Sequence, residues 1–133
     1  MFFTAEYCPP CVPVGLPLDA FVCKGNETSS QGDRRKFVVV VINCDKAEEQ
    51  YIECIRKMPT RDWYAMPFDA YDAIARVEDV AQAANIPKVS ILNGARSLDE
   101  PAIRDIKQML LKGAPSDDKF IEECLKEILV KLN

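Results

Sequence analysis

The segment from Phe37 to Ile42 contains four consecutive valines and constrains the fold more than any other feature of the sequence. β-Branched residues favour strands, and an unbroken apolar run of this length is typical of a strand that is buried on both faces. Such strands occur in largely parallel sheets that helices cover on both sides. The valine run therefore predicts a central sheet between two layers of helices.

Predicted strands and helices alternate around this run. Met1 to Ala5 is short and apolar and is predicted as a buried strand, and Val89 to Leu92 is predicted as another. Asn93-Gly94 favours a two-residue hairpin into a strand over Ala95 to Leu98. A solvated loop is predicted over Lys24 to Arg35, and an irregular segment over Pro59 to Phe68. Five helices are predicted: after Pro9, after a cap formed by Asp45 with Glu48, from Tyr71 to Ala84, after Pro101 and after Ser116. This order predicts an α/β sheet with one antiparallel edge.

Size and charge exclude several classes of protein. The 133 residues, 48% of them apolar, fit one domain over residues 1–133 with its own core. The net charge of −4 comes without a basic stripe, so nucleic acid is not an expected partner. No apolar run reaches membrane-spanning length, and the N-terminus lacks the pattern of a signal peptide. We therefore expect a cytoplasmic protein with no membrane partner.

Cys8 and Cys11 form the only motif-spaced pair among six cysteines, within Tyr7-Cys8-Pro9-Pro10-Cys11. A cysteine where a strand meets a helix N-terminus becomes a thiolate near neutral pH. We expect Cys8 to be partly exposed and nucleophilic, and the more buried Cys11 to resolve the mixed disulfide. Pro9 and Pro10 have no N–H, so donors to the thiolate must come from Cys11 and Val12. Tyr7 would supply an aromatic face.

Two other interpretations of this pair have to be weighed. The pair could be half of a zinc site, but the chain has no histidine and no second cysteine pair with suitable spacing. It could be a structural disulfide, but so small a loop adds little stability. The other cysteines are predicted to be unpaired, and they are Cys23, Cys44, Cys54 and Cys124. Trp63 and Tyr64 could line a binding surface, although the sequence favours the core.

Ile86-Pro87 lies between a predicted helix and a predicted strand. A cis proline here would present the preceding backbone groups to an extended substrate, whereas a trans proline would only end the helix. The combination with the dithiol favours the cis form.

These motifs resemble the thioredoxin superfamily, and within it the tryparedoxin and nucleoredoxin branch. The resemblance covers residues 1–98 and is carried by Cys8-Pro9-Pro10-Cys11, the valine strand followed by Asp45, Glu48 and Glu49, Lys57-Met58-Pro59, Ala65-Met66-Pro67-Phe68 and Ile86-Pro87. It implies a thioredoxin-like fold, Cys8 as the nucleophile, Cys11 as the resolving cysteine, and Pro87 as a cis proline facing the dithiol. No cofactor and no metal are implied.

The resemblance also implies partners. Tyr7, Ile86, Pro87 and Lys88 would contact protein disulfide substrates, such as peroxidases or signalling proteins, and electrons would come from a small dithiol such as trypanothione. Tyr7 replaces the usual tryptophan. Lys88 replaces the usual threonine, so we expect a cation near the thiols that favours the thiolate.

From the resemblance we expect the first strand and helix of the family to be missing ahead of the motif, and residues 99–133 to form a helical C-terminal extension. If so, strand 37–42 becomes an exposed apolar edge, which predicts a homodimer through this strand. Alternatively, the apolar residues between Phe120 and Leu132 cover the gap. The expected function is thiol–disulfide exchange, and its rivals are a non-enzymatic thioredoxin-like binding module and a zinc-binding adaptor.

Overall fold

A computed structural model describes residues 1–28, 37–94 and 96–98, together with residues 104, 107, 108, 110, 111 and 119. The elements are β1 (Phe2–Thr4), a 3-10 helix (Pro9–Val14), α1 (Gly15–Thr28), β2 (Val39–Asn43), α2 (Glu48–Arg56), β3 (Trp63–Ala65), α3 (Tyr71–Ala81), β4 (Lys88–Val89), β5 (Ile91–Asn93) and β6 (Arg96–Leu98). Most of the predicted C-terminal extension, residues 99–133, lies outside the described residues.

The four-stranded sheet has the order β3-β2-β1-β4. Strands β1, β2 and β3 are parallel, and β4 runs antiparallel to β1, with Phe3 opposite Lys88. Strands β5 and β6 form a separate antiparallel hairpin in which Asn93 pairs with Arg96. Gly94 has a φ of +59° in its turn, a backbone conformation that glycine adopts without steric cost. The mixed sheet with one antiparallel edge strand is as predicted.

Alternating side chains of β1 and β2 fill two different cores. Phe2, Val39 and Val41 belong to a buried cluster with Leu18, Phe21 and Val22 of α1, whereas Phe3, Val40 and Ile42 pack with Ile74, Val77 and Ala81 of α3. Successive residues of a strand point to opposite faces of the sheet, so an apolar run without alternation needs a helix on each face. The helical layers predicted from the valine run are confirmed.

The prediction that strand 37–42 forms an exposed edge is wrong. β2 lies between β1 and β3, with Phe2 opposite Val41 and Val39 opposite Trp63. The second neighbour, β3, comes from the segment that the sequence predicts as irregular. Three residues are too few to show a periodic pattern, and the strand forms because β2 offers it a ladder of backbone hydrogen bonds. The predicted homodimer through strand 37–42 loses its basis.

The helix after the motif is longer than predicted. Pro9, Pro10 and Pro13 lack an N–H, and they lie in a 3-10 segment that becomes α-helical only at Gly15. Pro17 then falls in the first turn of α1, where the N–H has no helical partner anyway. α1 continues through Lys24 to Thr28, so the predicted loop is wrong there, and residues 29–36 lie outside the described residues.

Asn26 explains why the polar end of α1 stays helical. Its side-chain amide donates to the carbonyl of Phe37 at 2.9 Å, and its Oδ1 accepts from the Phe37 N–H at 2.7 Å. The same amide also donates to Asp62 Oδ2 at 3.2 Å. These tertiary hydrogen bonds fix the last turn of α1 against the start of β2, a contact that local composition does not reveal.

α3 ends three residues before the predicted Ala84. Gln82 adopts the left-handed conformation with a φ of 50°, and the Ala83 N–H donates to the carbonyl of Glu78 at 3.0 Å, which closes the helix. Residues 82–86 are thereby released as the loop that leads to Pro87. None of the helices in the described part of the chain is long and apolar enough to cross a membrane.

Candidate active site

Cys8 and Cys11 form a disulfide at the junction between β1 and the 3-10 helix. The Sγ atoms are 2.06 Å apart and the Cα atoms 5.4 Å apart. Cys8 occupies the cap position of the 3-10 helix, its N–H donates to the Ala5 carbonyl at 3.2 Å, and its carbonyl accepts from the Cys11 N–H at 3.0 Å. The Cys11 N–H, one of the two donors that the sequence suggested for the Cys8 sulfur, is thus already bonded to the Cys8 carbonyl.

The two cysteines are buried alike in this oxidised form. Cys8 is 5% exposed and Cys11 is 4% exposed, so the expectation of a partly exposed Cys8 is wrong for the disulfide state. Both belong to the buried cluster that contains Phe2 and Val14. Because β1 ends inside the core and the helical segment packs back onto it, each sulfur is covered by its bonded neighbour and by this cluster. The two cysteines differ in the surface features next to them.

Asp45 links the end of β2 to the segment that joins β1 to Cys8. Its Oδ2 accepts hydrogen bonds from the Glu6 N–H and from the Asn43 side-chain amide, both at 2.8 Å. The Asp45 N–H donates to Asn43 Oδ1 at 2.9 Å, and the Cys44 N–H donates to the Thr4 carbonyl at 2.8 Å. Asp45 Oδ1 is buried and has no hydrogen-bond partner in the described part of the chain.

This network corrects the prediction that Asp45 caps α2. The cap position of α2 is Ala47, and no side-chain hydrogen bond is made there. Asp45 is instead used for tertiary contacts, because the carboxyl ends of the parallel strands β1 and β2 meet at one edge of the sheet. The carboxylate therefore holds the backbone at Glu6, two residues before Cys8.

Tyr7 and Ile86 lie on the outer side of the site, where they line one cleft of about 340 Å³ together with Phe3, Cys44, Glu78, Ala83, Ala84 and Asn85. Ile86 also packs against the buried cluster that contains Cys8 and Cys11. The pairing of Phe3 with Lys88 brings residues 86 and 87 beside the end of β1 that leads to Cys8. The Ile86–Pro87 peptide bond is cis, as the sequence favoured.

Pro87 and Lys88 line a different cleft, of about 420 Å³, with Gln82, Asn85, Arg104, Lys107 and four other residues. The Lys88 ammonium donates to the Gln82 carbonyl at 2.7 Å, at the end of α3. The cation is therefore directed to the helix terminus, whose carbonyls favour positive charge. Tyr7 and Ile86 thus line one cleft, whereas Pro87 and Lys88 line the other.

Cys11 lines a third space, an apolar cavity of about 250 Å³. The cavity is also lined by Phe2, Ala5, Leu16 and Cys54, and Glu6 and Lys57 form an ion pair at it. Cys54 is buried. Burial raises the pKa of Cys54, so this neighbouring thiol is protonated at neutral pH.

The other cysteines and aromatic residues are placed partly as predicted. Cys23, Cys44 and Cys54 are free thiols, and Cys124 lies outside the described residues. Trp63 is buried, donates from Nε1 to Asp19 Oδ1 at 2.9 Å and meets Phe2 edge to face, which confirms a core role. Tyr64 is exposed, so its predicted core position is wrong. Over the described ranges, no group of three or more cysteine, aspartate or glutamate side chains could hold a metal ion.

Comparison with known proteins agrees with this geometry. The family model described as thioredoxin-like matches residues 1–98, which is more than half of the chain. The chain belongs to the thioredoxin-like family. Its fold is the thioredoxin-like fold, with a mixed central sheet flanked by helices.

The relatives of this thioredoxin-like chain include nucleoredoxins and tryparedoxins. A probable nucleoredoxin 1 of Arabidopsis thaliana is 26% identical over 133 residues, which cover 98% of this chain and 21% of that protein. A tryparedoxin of Trypanosoma brucei brucei is 28% identical over 93 residues, which cover 70% of this chain and 58% of that one. The NMR structure of tryparedoxin 1 matches with a TM-score of 0.63 and 24% identity, over 90% of this chain and 74% of the other. The chain thus spans about a fifth of the plant nucleoredoxin and just over half of the tryparedoxin.

Reasoning from the sequence missed Asp45, Cys44 and Glu78 as neighbours of this thioredoxin-like site. The signal for the first two was present, since they directly follow a buried parallel strand, whose end meets the end of β1. Glu78 had a weaker signal. It follows Val77 and lies one turn after Ile74, two of the inward-facing apolar residues of α3.

Proposed function

We propose that this protein is a disulfide oxidoreductase that works by thiol–disulfide exchange through Cys8 and Cys11, without a cofactor. The observation that carries the proposal is the disulfide between these residues at the carboxyl end of β1. A disulfide that closes so short a loop adds little to the stability of the fold, so a role in redox chemistry explains it better than a structural role. Membership of the thioredoxin-like family supports the same interpretation.

The reaction begins from the reduced dithiol. The Cys8 thiolate attacks one sulfur of a substrate disulfide and displaces the other substrate sulfur as a thiolate, which takes up a proton. The Cys11 thiolate then attacks Cys8 Sγ and releases the second substrate sulfur. Two electrons have passed to the substrate, which leaves as a dithiol, and the protein is left with the Cys8–Cys11 disulfide. A donor dithiol reverses these steps and restores the reduced protein.

The surroundings of each cysteine support this division of roles. Cys8 follows Tyr7, which is 58% exposed and opens onto the outer cleft, where a substrate can approach. Cys11 lies inside the 3-10 helix and lines the apolar cavity with Phe2 and the buried Cys54, away from the Tyr7 cleft. We assign the attack to Cys8 and the resolution to Cys11, with Tyr7, Ile86 and Pro87 contacting the substrate.

The proposed substrates are protein disulfides, with a small dithiol, of which trypanothione is one example, as a candidate donor. The chain offers the exposed Tyr7 ring and the cleft beside Ile86 as contact surfaces, and both suit an extended peptide segment. The relatives' names, nucleoredoxin and tryparedoxin, are compatible both with a protein disulfide as electron acceptor and with a small dithiol as electron donor.

Reduction of insulin by dithiothreitol tests the proposal. The wild-type protein should accelerate the precipitation of the insulin chains, and Cys8→Ser should abolish the acceleration. Cys23→Ser, which removes a half-buried thiol on α1, is the matched control and should keep the wild-type rate. A wild-type rate equal to that of dithiothreitol alone would overturn the proposal and favour a non-enzymatic binding module.

Trapping experiments test the assignment of roles. Cys11→Ser should accumulate a mixed disulfide with the substrate on Cys8, because the thiol that resolves it is absent. Cys8→Ser should accumulate none. The opposite pattern, in which only Cys8→Ser traps substrate, would exchange the two roles.

A further inference from the structure

Glu78 places a single negative charge in the cleft that opens beside Tyr7 and Ile86. Its side chain comes from α3 and is half-buried. The other residues lining this cleft are neutral at pH 7, and several of them are apolar: Phe3, Tyr7, Cys44, Ala83, Ala84, Asn85 and Ile86. The described residues therefore give this cleft a net negative charge next to the proposed substrate path.

The Glu78 carboxylate has no bonded partner within the described part of the chain. Across the described residues, no ion pair and no hydrogen bond engages the Glu78 carboxylate. The nearby cations Lys88, Arg104 and Lys107 line the separate cleft beyond Ala84 and Asn85, and the Lys88 ammonium is bonded to the Gln82 carbonyl. A partly desolvated carboxylate without a counter-ion interacts more strongly with an incoming cation than an exposed one does.

The position of the cleft links Glu78 to substrate selection. Tyr7 directly precedes Cys8. When a substrate cysteine is bonded to Cys8, the substrate residues next to that cysteine would therefore lie against the Tyr7 ring. The exposed face of that ring attracts a cationic side chain as well. A lysine or arginine next to the reactive cysteine of the substrate would then lie over Tyr7 with its charge directed to Glu78.

We propose that the cleft formed by Tyr7, Cys44, Glu78 and Asn85 is a specificity site for a basic side chain next to the reacting disulfide of a peptide or protein substrate. This inference rests on the proposed oxidoreductase function and names the class of substrate on which it acts. Glu78 is a binding residue in this scheme and takes no part in the exchange of sulfur bonds.

Two synthetic peptides test the site. Each contains one intramolecular disulfide, and they differ in a single residue next to the first cysteine, which is arginine in one and alanine in the other. With dithiothreitol as the donor, the wild-type protein should reduce the arginine peptide with a kcat/KM about fivefold higher, as expected for one partly solvated ion pair. The difference should lie mainly in KM, and 0.5 M salt should diminish it.

Variants locate the effect. Glu78→Gln should reduce the ratio of the two kcat/KM values to about one, and Glu78→Lys should turn the preference toward a third peptide that carries glutamate at the same position. Glu49→Gln, which removes an exposed charge in the first turn of α2, is the control and should keep the wild-type ratio. The ratio compares two substrates on one preparation, so a partly folded variant still reports it, and the salt dependence of the wild-type protein needs no variant.

The outcomes separate this inference from the function on which it rests. Equal reduction of the arginine and alanine peptides by the wild-type protein would overturn the specificity site and leave the oxidoreductase intact. A preference that persists unchanged in both Glu78 variants would also overturn the site. Reduction of neither peptide would overturn the proposed function itself.

Discussion

Replacing Asp45 with alanine removes the acceptor that joins the ends of β1 and β2. Two donors lose their partner, the Glu6 N–H and the Asn43 amide, each now 2.8 Å from Asp45 Oδ2. A hydrogen bond to a charged group contributes about 1.5–3 kcal/mol, so the two losses together amount to about 3–6 kcal/mol. The half-buried Glu6 N–H regains some water, and the unpartnered Asp45 Oδ1 no longer has to be buried. We therefore expect Asp45→Ala to lower the free energy of unfolding by about 3 kcal/mol.

Urea denaturation followed by circular dichroism measures this change. With an m value of about 1.5 kcal/mol/M, the midpoint should fall by about 2 M. Asp45→Asn retains an oxygen acceptor and should lose about half as much stability, since only the charge is removed. Asp79→Ala, an exposed carboxylate on α3, is the control and should stay within about 0.5 kcal/mol of the wild type.

The reasoning would be refuted if Asp45→Ala were as stable as Asp79→Ala. That result would mean that water or a shifted side chain satisfies both donors, and that the carboxylate does not hold the segment before Cys8. A large loss in Asp45→Asn equal to that in Asp45→Ala would instead assign the effect to charge alone.

Three further predictions concern the core, the end of α1 and Cys44. Trp63→Phe should lower the free energy of unfolding by about 1–2 kcal/mol, because Asp19 loses the indole N–H at 2.9 Å, whereas Tyr64→Phe at the exposed neighbouring position should change little in the same urea titration. Asn26→Ala should cost about 1–3 kcal/mol and speed hydrogen exchange of the Phe37 amide, and unchanged exchange would contradict the role given to Asn26. Burial, with the charges of Glu78 and Asp45, raises the pKa of Cys44 to about 11, so its thiol is protonated at neutral pH. At pH 8 the thiolate fraction is about a hundredfold lower than for a thiol of pKa 9, and alkylation of Cys44 by iodoacetamide, followed by mass spectrometry, should be slower by the same factor in the native protein than in urea.

The sequence predicted those features of the structure that depend on residues close together in the chain. The valine run, the apolar segment before Cys8 and the spacing of Cys8 and Cys11 are local patterns. The first two are strands as predicted, and the two cysteines lie within bonding distance, while their redox use stays a prediction. Cis Pro87 was favoured because it was considered together with the dithiol. The errors fall where a distant partner decides the outcome.

β3 and the end of α1 are the clearest of these errors. Trp63–Ala65 becomes a strand because β2 presents unpaired backbone groups to it, and this pairing removes the edge that was expected at strand 37–42. Lys24 to Thr28 has the composition of a loop, but Asn26 fixes it to Phe37, eleven residues later in the chain. Neither contact has a signature within a few residues.

The sequence by itself determined the fold class and the pair of cysteines that form the disulfide, because apolar periodicity and cysteine spacing act over a few residues at a time. Only the tertiary structure decided which side chains surround that pair. It turned Asp45 from a helix cap into the acceptor beneath Glu6, directed Lys88 to the end of α3, and brought Glu78 to the cleft beside Tyr7. These positions depend on how strands and helices far apart in the chain pack against one another, since hydrogen bonds and charges act between groups that are close in space, whatever their separation in sequence.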